Sequence, residues 1–291
     1  KKYAVIINEF GEVGIDNELI VNADEEIFEM NNGCICCTVR GDLIRIIGGL
    51  MKRSDKLDGL IIETTGLADP APVAQTFFTD DDVRAKTKLD AIVTVVDAKF
   101  FQDRLKDSQE AEEQVAFADV ILLNKTDLVS ADELKLVEAK IREINKYAKI
   151  FHTQNSQIPL DQILDRGAFD LQRILEVEPH FLHDHHHHEH DGDITSISVT
   201  LDGPVNPERF RMWISAVLRE KGQDILRSKG VLAVDGDDRR LVFQGVHMLM
   251  DSNFGQPWRE GDKRASKLVF IGRNLDGVAL KRGFDACAQK R

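Results

Sequence analysis

Short apolar runs alternate with helical stretches along the first half of the chain. Four of these runs are rich in β-branched residues and are bounded by polar or turn-forming residues: 3–7, 59–63, 91–97 and 120–124. Continuous apolar strands of this kind suit the interior of a parallel sheet that is covered on both faces. Between them lie helix-like segments, notably 131–147, where leucine, valine and isoleucine recur at helical spacing. This order of strands and helices predicts a doubly wound α/β domain.

A different pattern begins after residue 177. The polar, histidine-rich tract 178–192 cannot build a core and is predicted to be a linker. Beyond it, 194–201 alternates apolar and polar residues like a half-exposed strand, and 207–220 has the pattern of a helix. Further strands and a final helix are predicted at 230–234, 241–245, 267–272 and 276–288. We therefore predict an α/β domain over 1–177, the linker, and a small α+β domain with an antiparallel sheet over 193–291.

Composition narrows the class of protein. Of the 291 residues, 42% are hydrophobic and 30% charged, as in an ordinary soluble globular protein. No stretch of eighteen apolar residues occurs, so we expect no membrane-spanning helix. The net charge of −12 argues against a general nucleic-acid-binding surface, because phosphate backbones require basic patches. Three of the four cysteines crowd into four positions, which is a poor disulfide framework, and we expect a cytoplasmic protein.

The cysteine cluster is the clearest chemical signal. The thiolates of Cys34, Cys36 and Cys37 are soft ligands that favour zinc and copper(I), and tetrahedral zinc accepts sulfur readily. Three thiols leave a fourth position for water, a histidine, or a carboxylate such as Glu9 or Glu12. An incomplete ligand set suits transfer of the ion rather than a permanent structural site. The alternatives are small buried hydrophobic residues or a disulfide, whose geometry cysteines this close in sequence meet badly.

A second signal follows the apolar run 120–124. In Asn124-Lys125-Thr126-Asp127, the aspartate can accept hydrogen bonds from the N1 and N2 donors of guanine, and the asparagine can reach the N7 and O6 side. Adenine lacks the paired donors, so such a site selects guanine. The alternative is that Asn124 and Asp127 only cap a turn between a strand and a helix.

The run 59–63 ends in a carboxylate that can assist phosphate chemistry. Glu63 can hold a magnesium-bound water or orient an attacking one, and Gly66 permits backbone approach to a terminal phosphate. The alternative is a solvated glutamate and a turn glycine. Asp97 can serve a similar supporting role or a purely structural one. The acidic, glycine-containing loop 8–16 is either a switch that orders around magnesium or a second metal, or a flexible acidic loop.

The remaining histidines and cysteine carry weaker signals. Seven of the nine histidines lie in the tract 178–192, interleaved with acidic residues, and imidazoles on such a chain make a metal reservoir of low geometric specificity. A purification tag or a spacer without a metal role is the alternative. Cys287 stands alone near the C-terminus and is expected to be inert.

Four motifs together resemble the CobW family, which belongs with the UreG and HypB metallochaperones among the P-loop GTPases. They are Asn8-Glu9-Phe10-Gly11-Glu12, Gly33-Cys34-Ile35-Cys36-Cys37, Glu63-Thr64-Thr65-Gly66-Leu67-Ala68-Asp69-Pro70 and Asn124-Lys125-Thr126-Asp127. The resemblance covers essentially the whole chain, including the histidine-rich linker and the C-terminal domain. It implies a P-loop-GTPase-like, doubly wound, mostly parallel sheet followed by a small α+β domain.

The resemblance also implies a function. Members bind GTP and magnesium, hydrolyse GTP slowly, and deliver zinc or cobalt to client proteins. By position, the implied site residues are the metal ligands Cys34, Cys36 and Cys37, the magnesium- or water-orienting Glu63, and the guanine readers Asn124, Lys125 and Asp127. We expect GTP to organise the loop 8–16 and the cysteine cluster into a metal-holding state. A passive zinc buffer without a GTPase cycle is the alternative, and a third hypothesis makes the C-terminal domain a client-docking module on an inactive platform.

One part of the family pattern has no counterpart in these residues. The family's first strand, its glycine-rich phosphate loop and the following helix are absent, since no Gly-x-x-x-x-Gly-Lys-Ser/Thr sequence occurs. The phosphate-gripping lysine and the magnesium-binding hydroxyl belong to that loop. We expect that an N-terminal segment precedes Lys1; otherwise the chain is defective as a GTPase. A sheet without this strand is expected to expose its edges.

Overall fold

The computed structural model describes residues 1–9, 27–31, 38–52, 57–64, 66, 69–168, 194–258, 261–262 and 264–289. The chain divides into two units, Lys1–Lys88 and Leu89–Arg291. Within the described ranges, no helix combines the length and apolar character that a membrane span requires. The predicted linker 178–192 lies outside these ranges, and the predicted domain boundaries stay predictions.

A parallel sheet organises the first unit. Its described strands are β1 (Tyr3–Glu9), β2 (Ile27–Asn31) and β3 (Gly59–Glu63), with β1 in the middle. The described helices of this unit are α1 (Thr38–Met51), α2 (Ala71–Thr79) and α3 (Asp81–Lys86). Leu43, Ile47 and Leu50 recur at helical spacing on α1 and pack with Ala4 and Ile6 of β1 in one buried cluster. Alternate residues of β1 and one face of α1 therefore form the core of this unit.

A second parallel sheet opens the other unit. Its described strands are β4 (Val93–Asp97), β5 (Val120–Asn124) and β6 (Lys149–His152), with β5 in the middle. The accompanying helices are α4 (Phe101–Asp107), α5 (Gln109–Phe117) and α6 (Ala131–Ile144). All five residues of β5 are buried, which explains its uninterrupted apolar sequence. The fully buried central strand thus positions whatever follows its carboxyl end.

Strands β3 and β4 each lie at an edge of their sheet among the strands that the structure describes. Along β4, Val93 and Val95 are 37% and 58% exposed, and in β3 Ile61 is 38% exposed. Such exposure is unusual for parallel sheets, whose strands are normally covered on both faces.

An antiparallel sheet forms the C-terminal part of the second unit. Its strands are β7 (Ile194–Asp202), β8 (Ile225–Ala233), β9 (Arg239–Val246), β10 (Leu249–Pro257) and β11 (Ala265–Arg273), arranged in the order β10-β9-β8-β11-β7. Two helices accompany them, α7 (Pro207–Lys221) and α8 (Gly277–Asp285). The predicted strand–helix–strands–helix order is therefore present.

The apolar core of this sheet lies between it and its two helices. Phe210, Ile214 and Leu218 follow one another at four-residue spacing on α7 and are buried with Phe270 of β11. Helix α8 approaches closely because Gly283 has no side chain: a Cβ there would lie 2.1 Å from Nε1 of Trp213. The small residue is needed for this packing and not for any unusual backbone angle.

Buried charge attaches the antiparallel sheet to the parallel sheet of the same unit. Asp119, one residue before β5, forms ion pairs with Arg227 and with Lys229 on β8, the latter at 3.0 Å from Nζ. Arg227 also donates to the carbonyl of Phe117, and the Asp119 carboxylate accepts the N–H of Ile92 at 2.8 Å. We call Asp119, Arg227 and Lys229 the Asp119 ion cluster. It ties β8 to the amino end of β5.

Most predicted elements are present, with shifted ends. The predicted helix 131–147 ends at Ile144, and the predicted strand 91–97 begins at Val93. Strands β2, β6 and β10 were not predicted. The four residues of β6 are too few to show a period, and β10 is an edge strand whose sequence, Leu-Met-Asp-Ser-Asn-Phe-Gly-Gln-Pro, is largely polar.

Candidate functional site

The segment with the predicted metal ligands runs between β2 and α1. Cys34, Cys36, Cys37 and Glu12 lie outside the described residues, so their part in a metal site stays a prediction. The strand β2 ends at Asn31 and α1 begins at Thr38. The register pairs Asn31 with Glu9, the last residue of β1, so the carboxyl ends of β1 and β2 lie side by side. Among the described residues, no group of three or more histidine, cysteine or acidic side chains is close enough to hold a metal.

Glu63 and Gly66 lie where the strands of the first sheet have their carboxyl ends. Glu63 ends β3, pairs in register with Ile7 of β1, and is exposed. Gly66 follows in a turn, and a Cβ added to it would meet no atom of the described residues within 4 Å. The proposed roles of Glu63 in catalysis and of Gly66 in phosphate approach stay predictions.

The predicted guanine motif starts at the carboxyl end of β5. Asn124 is buried, and its side chain binds a loop instead of facing solvent: Oδ1 accepts the N–H of Ser156 at 2.9 Å and the hydroxyl of Thr153 at 3.1 Å. Its Nδ2 donates to Oγ of Ser156 at 3.1 Å. The sequence predicted that Asn124 contacts a base. In this structure its amide holds residues 153–156 beside the motif.

Lys125 turns the chain out of β5. Its φ of 60° lies in the left-handed region, which costs a non-glycine residue on the order of 1 kcal/mol. A short 3-10 helix, Thr126–Leu128, follows, and Thr126 donates from both its N–H and its hydroxyl to the carbonyl of Thr153. Asp127 is exposed within this helix. Its carboxylate is therefore accessible at the carboxyl edge of the sheet, as a guanine reader requires.

The loop after β6 is a part of the candidate site that the sequence pattern did not indicate. Asn155 and Ser156 both have positive φ, 51° and 53°. Strained backbone of this kind persists only where the surroundings determine it, and here the bonds from Asn124 supply that constraint. The available signal was the Asn-Ser pair after a strand, because asparagine tolerates the left-handed region better than most residues.

The isolated cysteine has no place in this site. Cys287 is buried in the C-terminal core, and its thiol donates to the carbonyl of Gly283 at 3.3 Å. Burial raises the pKa of the Cys287 thiol to about 11, so little thiolate is present at neutral pH. The expectation that Cys287 is unreactive agrees with these properties.

The fold and the position of the Asn124-Lys125-Thr126-Asp127 motif define a class. Parallel strands carry polar residues at their carboxyl ends, a guanine-type motif follows a buried strand, and an antiparallel α+β domain comes after. This is the P-loop-GTPase-like nucleotide-binding fold with an added C-terminal domain. Residues 1–152 match the CobW/HypB/UreG nucleotide-binding domain, and residues 194–288 match the cobalamin synthesis protein cobW C-terminal domain. The chain therefore belongs to the CobW/HypB/UreG family, which confirms the resemblance found in the sequence.

Several relatives match nearly the whole chain. The zinc chaperone YjiA of Escherichia coli (strain K12) is 35% identical over 288 residues, covering 97% of this chain and 89% of the relative. The zinc chaperone CobW of Pseudomonas aeruginosa is 34% identical over 312 residues, covering 96% and 82%. The crystal structure of zinc-bound YjiA GTPase from E. coli matches with a TM-score of 0.78 and 30% identity, covering 99% of this chain and 90% of that one. The predicted fold class is thereby confirmed.

Proposed function

We propose that this protein is a GTP-binding and GTP-hydrolysing metal chaperone. It binds zinc through Cys34, Cys36 and Cys37 and passes the ion to a client metalloprotein. The proposal is carried by the guanine-type motif at the carboxyl end of β5, where exposed Asp127 follows a turn that Asn124 and Lys125 define. Relatives named as zinc chaperones support the choice of cargo.

The guanine site rests on the accessibility of one carboxylate. Asp127 accepts hydrogen bonds from N1 and N2 of guanine, a pair of donors that adenine does not present. The side-chain Oδ1 of Asn124 accepts the N–H of Ser156 and so holds the loop 153–156 beside the motif. Lys125 contributes its position after β5 and its charge. Selection of GTP over ATP follows from this arrangement, because adenine offers the Asp127 carboxylate no such pair of donors.

We assign the hydrolysis of GTP to the carboxyl ends of the strands in the first sheet. The exposed carboxylate of Glu63 is a hard oxygen donor of the kind that binds Mg²⁺ through water, and Gly66, which has no side chain, lets a phosphate approach the backbone. When bound, Mg²⁺ neutralises charge on the phosphates of GTP. Glu63 then orients the attacking water by accepting a hydrogen bond from it.

The cargo is held by soft ligands. Three thiolates suit zinc, because Zn²⁺ is a borderline-soft d¹⁰ ion that accepts tetrahedral sulfur coordination. Glu9 or Glu12 completes the coordination with a carboxylate, and the exchange of that weaker ligand opens the site for transfer. A client metalloprotein docks on the C-terminal antiparallel domain in this scheme.

The test is nucleotide-dependent zinc affinity in the full-length protein. Zinc is titrated against a chromophoric chelator with Mg²⁺ and a non-hydrolysable GTP analogue, with Mg²⁺ and GDP, and without nucleotide. We expect the GTP analogue to tighten zinc binding by roughly 5- to 150-fold, the usual range of coupling between sites. Equal zinc affinity in the three states would falsify the chaperone cycle.

Matched variants test the assigned zinc ligands and distinguish the chaperone from a passive zinc buffer. Cys36→Ser should abolish tight zinc binding, whereas Cys287→Ser should leave it unchanged because that thiol is buried and protonated. Asp127→Ala should remove the response to GTP. If zinc release to the chelator in the presence of GTP is the same for Asp127→Ala and the natural protein, the protein is a passive zinc buffer.

A further inference from the structure

The carboxylate of Asp97 lies beside the guanine motif, and the proposed function leaves it without a role. Asp97 ends β4 and pairs in register with Asn124 at the end of β5. Its Oδ2 lies 2.8 Å from Nζ of Lys125. This ion pair joins the tips of two adjacent strands through the residue at which the chain turns toward Asp127.

The backbone after Asp97 fixes the carboxylate in place. Oδ1 accepts the N–H of Lys99 at 2.9 Å and that of Phe100 at 3.3 Å. The N–H of Ala98 donates to the carbonyl of Asn124 at 2.9 Å, which links the two strand ends a second time. Asp97 is therefore a rigid anchor, while the Lys125 side chain is half-exposed and would otherwise sample many rotamers.

Charge at this position is maintained at neutral pH. Partial burial raises the pKa of Asp97, but the hydrogen bond from Lys125 and the two backbone N–H groups outweigh that effect, so the pKa lies below its ordinary value. The carboxylate of Asp97 is therefore ionised at neutral pH, as its ion pair with Lys125 requires.

We propose that Asp97 is a positioning residue for the guanine site, which it serves by holding Lys125. The left-handed turn at Lys125 sets the direction in which the chain enters the Thr126–Leu128 helix. Because Asp97 restrains the side chain of the turning residue, it narrows the range of positions open to the Asp127 carboxylate. Asp97 therefore sharpens discrimination between guanine and related bases without touching the base, and this role rests on the proposed function.

Inosine diphosphate is the probe that isolates this effect. Its base lacks the N2 amino group, so it offers Asp127 one donor where guanine offers two. A well-placed carboxylate prefers GDP over IDP, and a loosely placed one loses part of that preference. We expect Asp97→Asn to reduce the ratio of the Kd for IDP to the Kd for GDP by about two- to fivefold, as suits a partly exposed ion pair.

A double-mutant cycle tests whether Asp97 acts through Lys125. In a Lys125→Met background the ion pair is already absent, so adding Asp97→Asn should change the IDP-to-GDP ratio no further. Asp103→Asn is the matched control: this carboxylate on α4 pairs with Lys106 and is 70% exposed. Its removal should leave the ratio unchanged. Lys125→Met also provides a second route to the same loss if Asp97→Asn folds poorly.

The outcomes distinguish the two proposals. If the natural protein binds GDP, IDP and ADP equally, the proposed guanine site is wrong. If the natural protein prefers GDP and Asp97→Asn keeps that preference in full, the positioning role of Asp97 is overturned. An additive effect of the two substitutions would likewise show that Asp97 does not act through Lys125.

Discussion

Replacing Asp119 by asparagine tests what holds the antiparallel sheet to the parallel sheet of the same unit. The side chains of the Asp119 ion cluster are almost inaccessible: 2% exposed for Asp119, 3% for Arg227 and 9% for Lys229. Asp119→Asn preserves the size of the side chain and can still accept the N–H of Ile92. It removes the negative charge that lies between two buried cations.

The expected loss is large because the pair is buried. Removing one partner of a buried ion pair costs about 3–5 kcal/mol, since the remaining charge stays in a poorly solvated place. The retained hydrogen bond places the asparagine variant near the lower end, at about 3 kcal/mol. Asp103→Asn is the control. Its partner Lys106 is 73% exposed, and a pair of that kind contributes about 1 kcal/mol or less.

Urea unfolding followed by tryptophan fluorescence measures this loss. Trp213 and Trp258 are the two tryptophans of the chain, and both belong to the second unit, so the signal reports the unit that contains the cluster. A loss below about 1 kcal/mol for Asp119→Asn would refute the assignment, since that is the range of an exposed pair. Equal losses for Asp119→Asn and Asp103→Asn would refute it as well.

Acid dependence gives a second measurement on the same variant. Burial raises the pKa of Asp119, but the Arg227 guanidinium and the Lys229 ammonium lower it more strongly, so its pKa in the folded state lies below the ordinary value. The stability contributed by Asp119 is therefore complete above the ordinary carboxyl pKa of about 4, and it is lost as the pH falls below that value. Asp119→Asn should flatten this acid-side decline, whereas Asp103→Asn should not.

Three further predictions concern the same unit. Asn145→Ala should lower the free energy of unfolding by about 3 kcal/mol in urea titrations, because the buried amide donates to three carbonyls and accepts two N–H groups. Ser130→Ala should cost about 1 kcal/mol by removing the capping box that Ser130 forms with Glu133. Cys287 should resist iodoacetamide at pH 8 in the folded protein and react after unfolding, as read by peptide mass spectrometry; rapid labelling when folded would contradict its burial.

Elements and motifs that are contiguous in sequence could be predicted. The strand β5 is an uninterrupted apolar run because all of its residues are buried, and the motif Asn124-Lys125-Thr126-Asp127 follows it directly. Helix α7 shows its buried face as a four-residue spacing from Phe210 to Leu218. In each case the physical cause, burial of a face or the end of a strand, acts on neighbouring residues and leaves a local pattern.

Contacts between distant segments could not be predicted in this way. The amide of Asn124 binds Ser156, 32 residues further on, and Arg227 lies 108 residues after Asp119. No period or composition in either segment specifies its partner, since hydrogen bonds and ion pairs depend on where the fold brings the chains. Asp97 was recognised as an acid at a strand end, but its partner Lys125 is defined only by the pairing of β4 with β5.

The positions of Asp119 and Asp97 relative to β5 explain why we expect different effects from substituting these two carboxylates. Asp119 precedes it and Asn124 ends it, so five residues, roughly 16 Å at 3.3 Å per residue, separate the ion cluster from the guanine motif. Its hydrogen bond and ion pairs join Asp119 to Ile92, Arg227 and Lys229 at the far end of β5 from that motif. Asp97, by contrast, contacts the motif itself. We therefore expect substitution of Asp119 to change stability, and substitution of Asp97 to change the proposed preference for guanine.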